Sequence, residues 1–374
     1  MLLAHFPSRR SGFLFGHAKS WRQPPSHSHI SFLVSPTSST HQPPKTPKRQ
    51  NAARAVRLLV SSCQLLTPGF YSVAPFSPSS ISLLAMDNNG ITSVLNFRDV
   101  GSTVNKFLGR RLIREGQLFR SARPDDASLE DRKRLREELG IKAVIDLRTR
   151  TEHVKQAKKR EADLQIPALL QSNAALAEPV QISGLKYHEI KITGGSFERF
   201  LLRQLSWWGL CRLIVLFLLG YRNEGISVLS SEVMVPRGLV RLGLDTLDQS
   251  GEEIAKALRV FLNPSTTPTL VHCTQGKDRT GLIVTLVLMT LDVPLEAIEY
   301  DYMLTSGALE SEREERLAEI KEIGLTDDWF ETAPDMIVRT ARHIDDVYGG
   351  IAGYLDKIGF GQDDRHRLRE LLLY

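Results

Sequence analysis

A cysteine, five residues and an arginine, Cys273-TQGKD-Arg279, make up the spacing with the most direct chemical consequence in the chain. The run before it, "TLVHC" from Thr269, reads as a short buried strand, and the apolar run from Thr280 reads as a largely buried helix. The loop between them therefore lies at the C-terminal edge of a sheet and at a helix start. Amides without helical partners and the helix dipole make such a place a cradle for anions. A thiol held there is expected to ionise readily. Five intervening residues suit a tight loop that wraps a phosphate-sized group, with sulfur below and a guanidinium closing the ring. Arg279 can bond two oxygens side by side, which lysine cannot match in geometry. Gly276 permits close backbone approach or a positive φ. The implied chemistry is phosphoryl transfer from an ester to the Cys273 sulfur, followed by hydrolysis of the phosphocysteine. Thiolate, guanidinium and amides supply nucleophile and charge stabilisation, so no metal or organic cofactor is expected.

The elements that must position this loop alternate along the chain. Ala127 to Gly140 reads as a helix capped by Ser128, with Leu129, Leu135 and Leu139 on the apolar side and Gly140 closing it. Ile141 to Arg148 follows as a strand whose end carries Asp146 and Arg148, facing the rim of the catalytic loop. Leu185 to Ile192 alternates as a strand, and "GEEIAKALRVFLN", ending at Asn263, is a helix leading into "TLVHC". Strands alternating with helices predict an α/β fold: a mostly parallel central sheet flanked by helices, with ligands beyond the strand C-terminal ends. From Pro294 to Tyr374 the pattern is helical, without a repeat.

The chain has 374 residues, 42% of them apolar and 24% charged, enough for a sizeable core in one large or two ordinary globular domains. Its formal charge of +5 is unevenly placed. Residues 1–85 hold nine Lys or Arg and no Asp or Glu, and the remainder carries a net −4. A basic body that would bind nucleic acid is thus excluded. For 1–85 three readings stand: a mitochondrial targeting segment, a disordered extension, or residues upstream of a native start at Met86. Residues 86–374 are expected to form the catalytic domain. Cys63, Cys211 and Cys273 form no metal-like pairs and no even disulfide set, so a reducing compartment, the cytoplasm, is the default; a mitochondrial site follows if the extension is a targeting segment. No run reaches the length of a membrane span. The nearest, Leu205 to Tyr221, is interrupted by Arg212. It reads as a buried core helix, as a lid over a pocket within 199–222, or as a helix in peripheral membrane contact through Trp207 and Trp208 with flanking Arg203 and Arg222.

The string "HCTQGKDRTG" between a strand and a helix resembles the active-site loop of the cysteine-dependent protein-tyrosine phosphatase superfamily. Its "GKDRTG" ending is similar to the tyrosine/serine phosphatase family with members in bacteria and fungi. "NFRDVG" (Asn96 to Gly101), "LFRSARP" (Leu118 to Pro124), "VIDLRTRTE" (Val144 to Glu152) and "HIDDVYGGIAGYLDKIGF" (His343 to Phe360) resemble family segments in family order, so the likeness runs from about Ser93 to the C-terminus.

The resemblance implies that Cys273 is the nucleophile and Arg279 the phosphate clamp. It implies that His272 holds the loop and biases the sulfur towards thiolate. Thr280 would either donate a hydroxyl to the sulfur or cap the helix. Thr274, Gln275, Gly276, Lys277 and Gly281 complete the substrate-binding loop, Lys277 making it more positive. No Trp-Pro-Asp tripeptide occurs, and Asp278 within the loop is the preferred general acid, with Asp245 and Asp248 in reserve. Arg98 and Asp99, and Arg120 with Ser121, are read as loop residues near the site, although any single one could be an ordinary ion pair. Expected substrates are phosphorylated protein, foremost phosphotyrosine, or a phosphoinositide. A non-catalytic phosphate-binding scaffold would lack Cys273 or Arg279, and an arsenate reductase would need resolving cysteines beyond Cys211.

Overall fold

A computed structural model of the chain describes residues 88–164 and 181–374, the side chains of 160–164 excepted. The expectations for 1–85 lie outside the described residues. Five short strands form one sheet: β1 (Arg98–Asp99), β2 (Leu118–Ser121), β3 (Ala143–Asp146), β4 (Lys186–Glu189) and β5 (Thr269–His272), in the order β1-β2-β5-β3-β4. Only the β1–β2 pair is antiparallel. The central strands are buried on both faces, which is why "AVID" and "TLVH" read as apolar runs rather than alternations.

Alternation instead sorts residues between two cores. Leu118, Ile145 and Val271 join the larger core, built on helices that follow and precede β5. Phe119, Val144 and Leu270 point the other way, onto Ile91, Val94, Phe97, Leu135 and Ile141. Each fully buried aliphatic or aromatic side chain contributes about 1.5–3 kcal/mol to this sandwich.

The helices are α1 (Val100–Leu108), α2 (Leu129–Lys133), α3 (Arg150–Leu164), α4 (Gly195–Gln204), α5 (Trp207–Leu218), α6 (Arg222–Leu229), α7 (Val235–Gln249), α8 (Gly251–Val260), α9 (Asp278–Thr290), α10 (Leu295–Ala308), α11 (Arg313–Glu322), α12 (Met336–Tyr348), α13 (Ile351–Lys357) and α14 (Gln362–Leu372). Among them α9 is the central one, buried along almost its whole length because it runs from the sheet edge through the larger core. The C-terminal part is helical, as its pattern predicts.

Two sequence expectations are corrected. The helix from Ala127 is capped by Ser128 as expected, but it passes into a π-helical turn over Arg134–Glu138. Leu129, assigned to its apolar side, is 87% exposed, since only Leu135 reaches the sheet. The apolar run from Leu205 does not enter the core. Helix α5 packs one face on its neighbours and leaves Trp207 and Trp208 73% and 81% exposed. Its inner face is fixed by small residues: a side chain at Gly209 would collide with Glu232, and one at Gly225 would collide with Phe217.

Candidate active site

Register brings the chemistry together. Ser121 of β2 and Asp146 of β3 both stand level with His272 at the end of β5, so three parallel strands deliver their C-terminal ends to one place. Cys273 leaves the sheet there, buried at the floor of a loop that ends in the first turn of α9. The loop residues above it, Thr274, Gln275 and Arg279, are half-buried, and Asp278 is exposed.

The loop's carbonyls are each claimed from outside. The Arg123 amide donates to Thr274 O at 3.2 Å and the Gly281 amide to Lys277 O at 2.7 Å. Asn96 Nδ2 donates to Gln275 O (3.0 Å) and Gly276 O (3.1 Å), and Arg120 Nη2 donates to Gly276 O at 2.7 Å. In a planar trans peptide the next N–H points opposite to each carbonyl. Pinning carbonyls 274 to 277 outward therefore turns amides 275 to 278 towards the inside of the loop. Gly276 makes this possible. Its φ is +67°, and a Cβ would stand 2.1 Å from Ser121 O, so loop and β2 approach more closely than any side chain allows.

Arg279 is held by an acid that the sequence reading did not single out. Glu152, in the first turn of α3, accepts from Arg279 Nη1 at 2.8 Å and Nη2 at 2.6 Å; it also accepts from Thr274 Oγ1. Leu147 O takes a further Nη1 proton at 3.3 Å. A guanidinium has five N–H groups. Three being used, Nε–H and the second Nη2 proton remain. These two lie on one edge of the plane, a parallel fork of the kind that binds two phosphate oxygens. Burial works against both charges, but each ion outweighs it for the other. Glu152 is held far below, and Arg279 above, its ordinary pKa, and the nearby charge of Cys273 also favours the Arg279 cation.

Beneath the loop lies a second polar layer. His272 is completely buried; its Nδ1 stands 3.1 Å from Cys273 O and its Nε2 3.5 Å from Asp146 Oδ2. Arg148 binds Asp146 Oδ2 at 2.7 Å and both oxygens of Asp125, at 2.6 and 2.9 Å. Burial disfavours the Asp146 carboxylate, yet His272 and Arg148 draw it down to about 2. His272 thus anchors the nucleophile's backbone and touches no ligand position. Asp146 and Arg148, expected at the rim, support the loop from below.

Several residues expected at the ligand are elsewhere, each for a physical reason. Lys277 is fully buried, and its ammonium donates to Trp329 O, Phe330 O and Glu331 O at 3.0, 2.8 and 2.9 Å. Its charge is spent tying the loop to that segment, so it adds none to the cradle. Arg98 and Arg120 are strand residues clamped on one buried carboxylate, Asp301 of α10, at 2.8 and 2.5 Å. Burial and the neighbouring Arg120 outweigh Asp301 and bring Arg98 down to about 10. Asp99 caps α1, accepting from the amides of Gly101, Ser102 and Gly116, and burial raises it to about 6. Neither Arg98 nor Asp99 contacts the loop directly; Arg98 reaches it through the side chain of Asn96.

Among the acid candidates, Asp245 is almost completely buried between Arg237 (2.6 Å) and Arg241 (3.1 Å). Asp248 accepts from His343 and Tyr348 at 2.8 and 2.7 Å. Asp278 keeps a carboxylate 43% exposed, 3.9 Å from Lys277 Nζ. Thr280 does not cap α9 with its side chain, and its buried hydroxyl has no partner among the described residues. Gly281 lies against the Tyr302 ring, where a Cβ would stand 3.0 Å from a ring carbon. The groups sequence reasoning missed are Asn96, Glu152, Asp125 and Asp301. The first two sit in quoted segments but read as a turn former and as the third helix residue of a Thr149–Glu152 capping box, which Glu152 also makes. Among the described residues no cluster of His, Cys, Asp or Glu could hold a metal.

Comparisons with known proteins agree with this geometry. The sequence profile described as "Tyrosine phosphatase family" matches residues 90–374. The triple specificity protein phosphatase PtpB of Mycobacterium tuberculosis is 27% identical over 302 residues, covering 74% of this chain and 96% of the relative. A tyrosine-protein phosphatase of Nostoc commune is 32% identical over 112 residues, 27% of this chain and 37% of the relative. Among solved structures, the core catalytic domain of a PP-IP phosphatase from S. cerevisiae, in complex with citrate, covers 69% of this chain and 98% of its own at 17% identity and a TM-score of 0.28.

Proposed function

The chain belongs to the tyrosine phosphatase family and is a phosphoric monoester hydrolase of the protein-tyrosine phosphatase class, and on that premise we propose a phosphocysteine mechanism at Cys273 acting chiefly on protein phosphotyrosine. The observation that carries the reading is the loop over Cys273, its carbonyls pinned outward and one edge of Arg279 left open. A phosphate dianion in that ring accepts from the inward amides and from Nε–H and Nη2–H of Arg279. The Cys273 thiolate attacks phosphorus, the bond from phosphorus to the phenolic oxygen breaks, and the Asp278 carboxyl gives that oxygen its proton. A water then attacks the phosphocysteine and passes a proton to the Asp278 carboxylate. The phosphorus–sulfur bond breaks, Thr280 donates its hydroxyl proton in a hydrogen bond to the departing sulfur, and inorganic phosphate leaves. Glu152 positions Arg279, and Asn96, Arg120 and His272 position the loop.

A phosphoinositide substrate is the second reading, favoured by the "triple specificity" in the name of the Mycobacterium relative. The test is hydrolysis of a matched panel of phosphotyrosine peptides, phosphoserine peptides and phosphoinositides by the full chain, with Cys273→Ser alongside. We expect kcat/KM to be highest on phosphotyrosine and to vanish in the variant. Higher kcat/KM on the lipids would replace the first reading by the second. Turnover surviving in Cys273→Ser would remove the mechanism.

A further inference from the structure

Helix α5 carries an apolar stripe that nothing in the fold covers. Trp207, Trp208, Ile214, Val215, Leu218 and Leu219 are 48–81% exposed along its 12 residues, a length of about 18 Å. The stripe has a definite charge setting. Between residues 195 and 242 there are six arginines and three glutamates. Arg237 and Arg241 are occupied by Asp245. Arg203, Arg212 and Arg222 are exposed at the start, middle and end of the stripe, and none forms an ion pair among the described residues. Glu224 and Glu322 share a shallow pocket with Arg212 without reaching ion-pair distance. An apolar protein partner would match the stripe but not its unpaired cations. A surface that is hydrocarbon below and anionic above matches both, with tryptophan at the boundary where its amphipathic ring is most stable. The helix is too short to cross, and no described helix is long and apolar enough to do so.

We propose that α5 is a membrane-docking helix that lies in the interface of an anionic phospholipid surface, its stripe inserted and Arg203, Arg212 and Arg222 against lipid headgroups. The docking is separate from the phosphoryl chemistry and does not depend on which ester is hydrolysed. It would set the site at a membrane surface whether the substrate there is a protein or a lipid.

The test is sedimentation of the full chain with phosphatidylcholine–phosphatidylserine vesicles against phosphatidylcholine alone, with tryptophan quenching by brominated lipid. The basic residues of 1–85 could also attract anionic vesicles, so variants decide. Each exposed arginine near such a surface is worth about a factor of five, so Arg203→Gln, Arg212→Gln and Arg222→Gln together should lower partition roughly a hundredfold at low salt. Trp207→Ala with Trp208→Ala should lower it by at least about tenfold and abolish the quenching. Both variants should keep wild-type turnover of a small soluble aryl phosphate, which reports that they fold. If they fold poorly, quenching of the wild-type chain, and its loss at high salt, carries the test. Absence of binding, binding indifferent to both variants, or self-association of the chain through the Trp207 face without vesicle binding would each overturn the proposal.

Discussion

Replacing Glu152 by Gln tests the arrangement around Arg279 with almost no change in volume. The carboxylate accepts from both Nη1 and Nη2 and from Thr274 Oγ1. An amide offers one oxygen and turns an NH2 group towards the guanidinium or the hydroxyl. A hydrogen bond to a charged group contributes about 1.5–3 kcal/mol when well protected. Here Arg279 and Glu152 are 19% and 28% exposed, and one of the two contacts survives in the amide. A net loss of about 2 kcal/mol in holding the fork is therefore expected, which is about 30-fold in rate. Because a charge that competes with phosphate for Arg279 also disappears, ground-state binding should not weaken. The loss should appear in kcat with KM unchanged or lower. Steady-state kinetics on an aryl phosphate, paired with inhibition by phosphate and by vanadate, gives the assay. Affinity for vanadate, which mimics the five-coordinate state, should fall with kcat, while affinity for phosphate should hold. Wild-type kcat in Glu152→Gln, or a rise in KM alone, would refute the claim that Glu152 sets the orientation of the clamp.

Asp278→Asn should lower kcat on a poor leaving group such as phosphotyrosine by about 100-fold and much less on a substrate whose leaving oxygen needs no proton. Equal losses on both, or a larger loss in Asp248→Asn, would move the acid elsewhere. Lys277→Met strips three carbonyls of a buried ammonium and should destabilise the fold by about 3 kcal/mol in denaturant titration; unchanged stability would mean the ammonium does not tie the loop to residues 329–331. Asp99 binds its proton more tightly folded, at about 6, than an ordinary aspartate does unfolded. Between about pH 4 and pH 6 the folded state therefore holds the extra proton, and the contribution of Asp99 to stability falls as pH rises through that window by about 2–3 kcal/mol, levelling above it. The difference in unfolding free energy between wild type and Asp99→Asn should trace that slope, and a flat difference would show that Asp99 does not titrate there.

The sequence carried the nucleophile, the clamp and the alternating fold, because these depend on local rules: a strand, a tight loop with Gly276, and a buried helix α9. Chemistry that depends on tertiary pairing was less legible. Arg98 and Lys277 look like binding cations until their partners are known. A buried carboxylate on α10, more than 200 residues from Arg98 along the chain, and three carbonyls at 329–331 take their charge. Glu152 was hidden by a second role, since a Thr149–Glu152 capping box explains it locally. Asp301 gave no signal, being one acid in an otherwise ordinary helical stretch. The run from Leu205 misled in the opposite sense: its composition fits a core helix, but α9 already fills the larger core, and α5 is left at the surface.

The central claim is that the Cys273 sulfur becomes bonded to phosphorus during turnover. Acid quenching of the full chain during steady-state turnover of a 32P-labelled phosphotyrosine peptide, followed by proteolysis and mass spectrometry, tests it directly. The account predicts label, stable to acid, on the peptide bearing Cys273, a larger labelled fraction in Thr280→Ala if its hydroxyl assists release of the sulfur, and none in Cys273→Ser. Turnover without label on that peptide under the same quench, or label on a different residue, would contradict it.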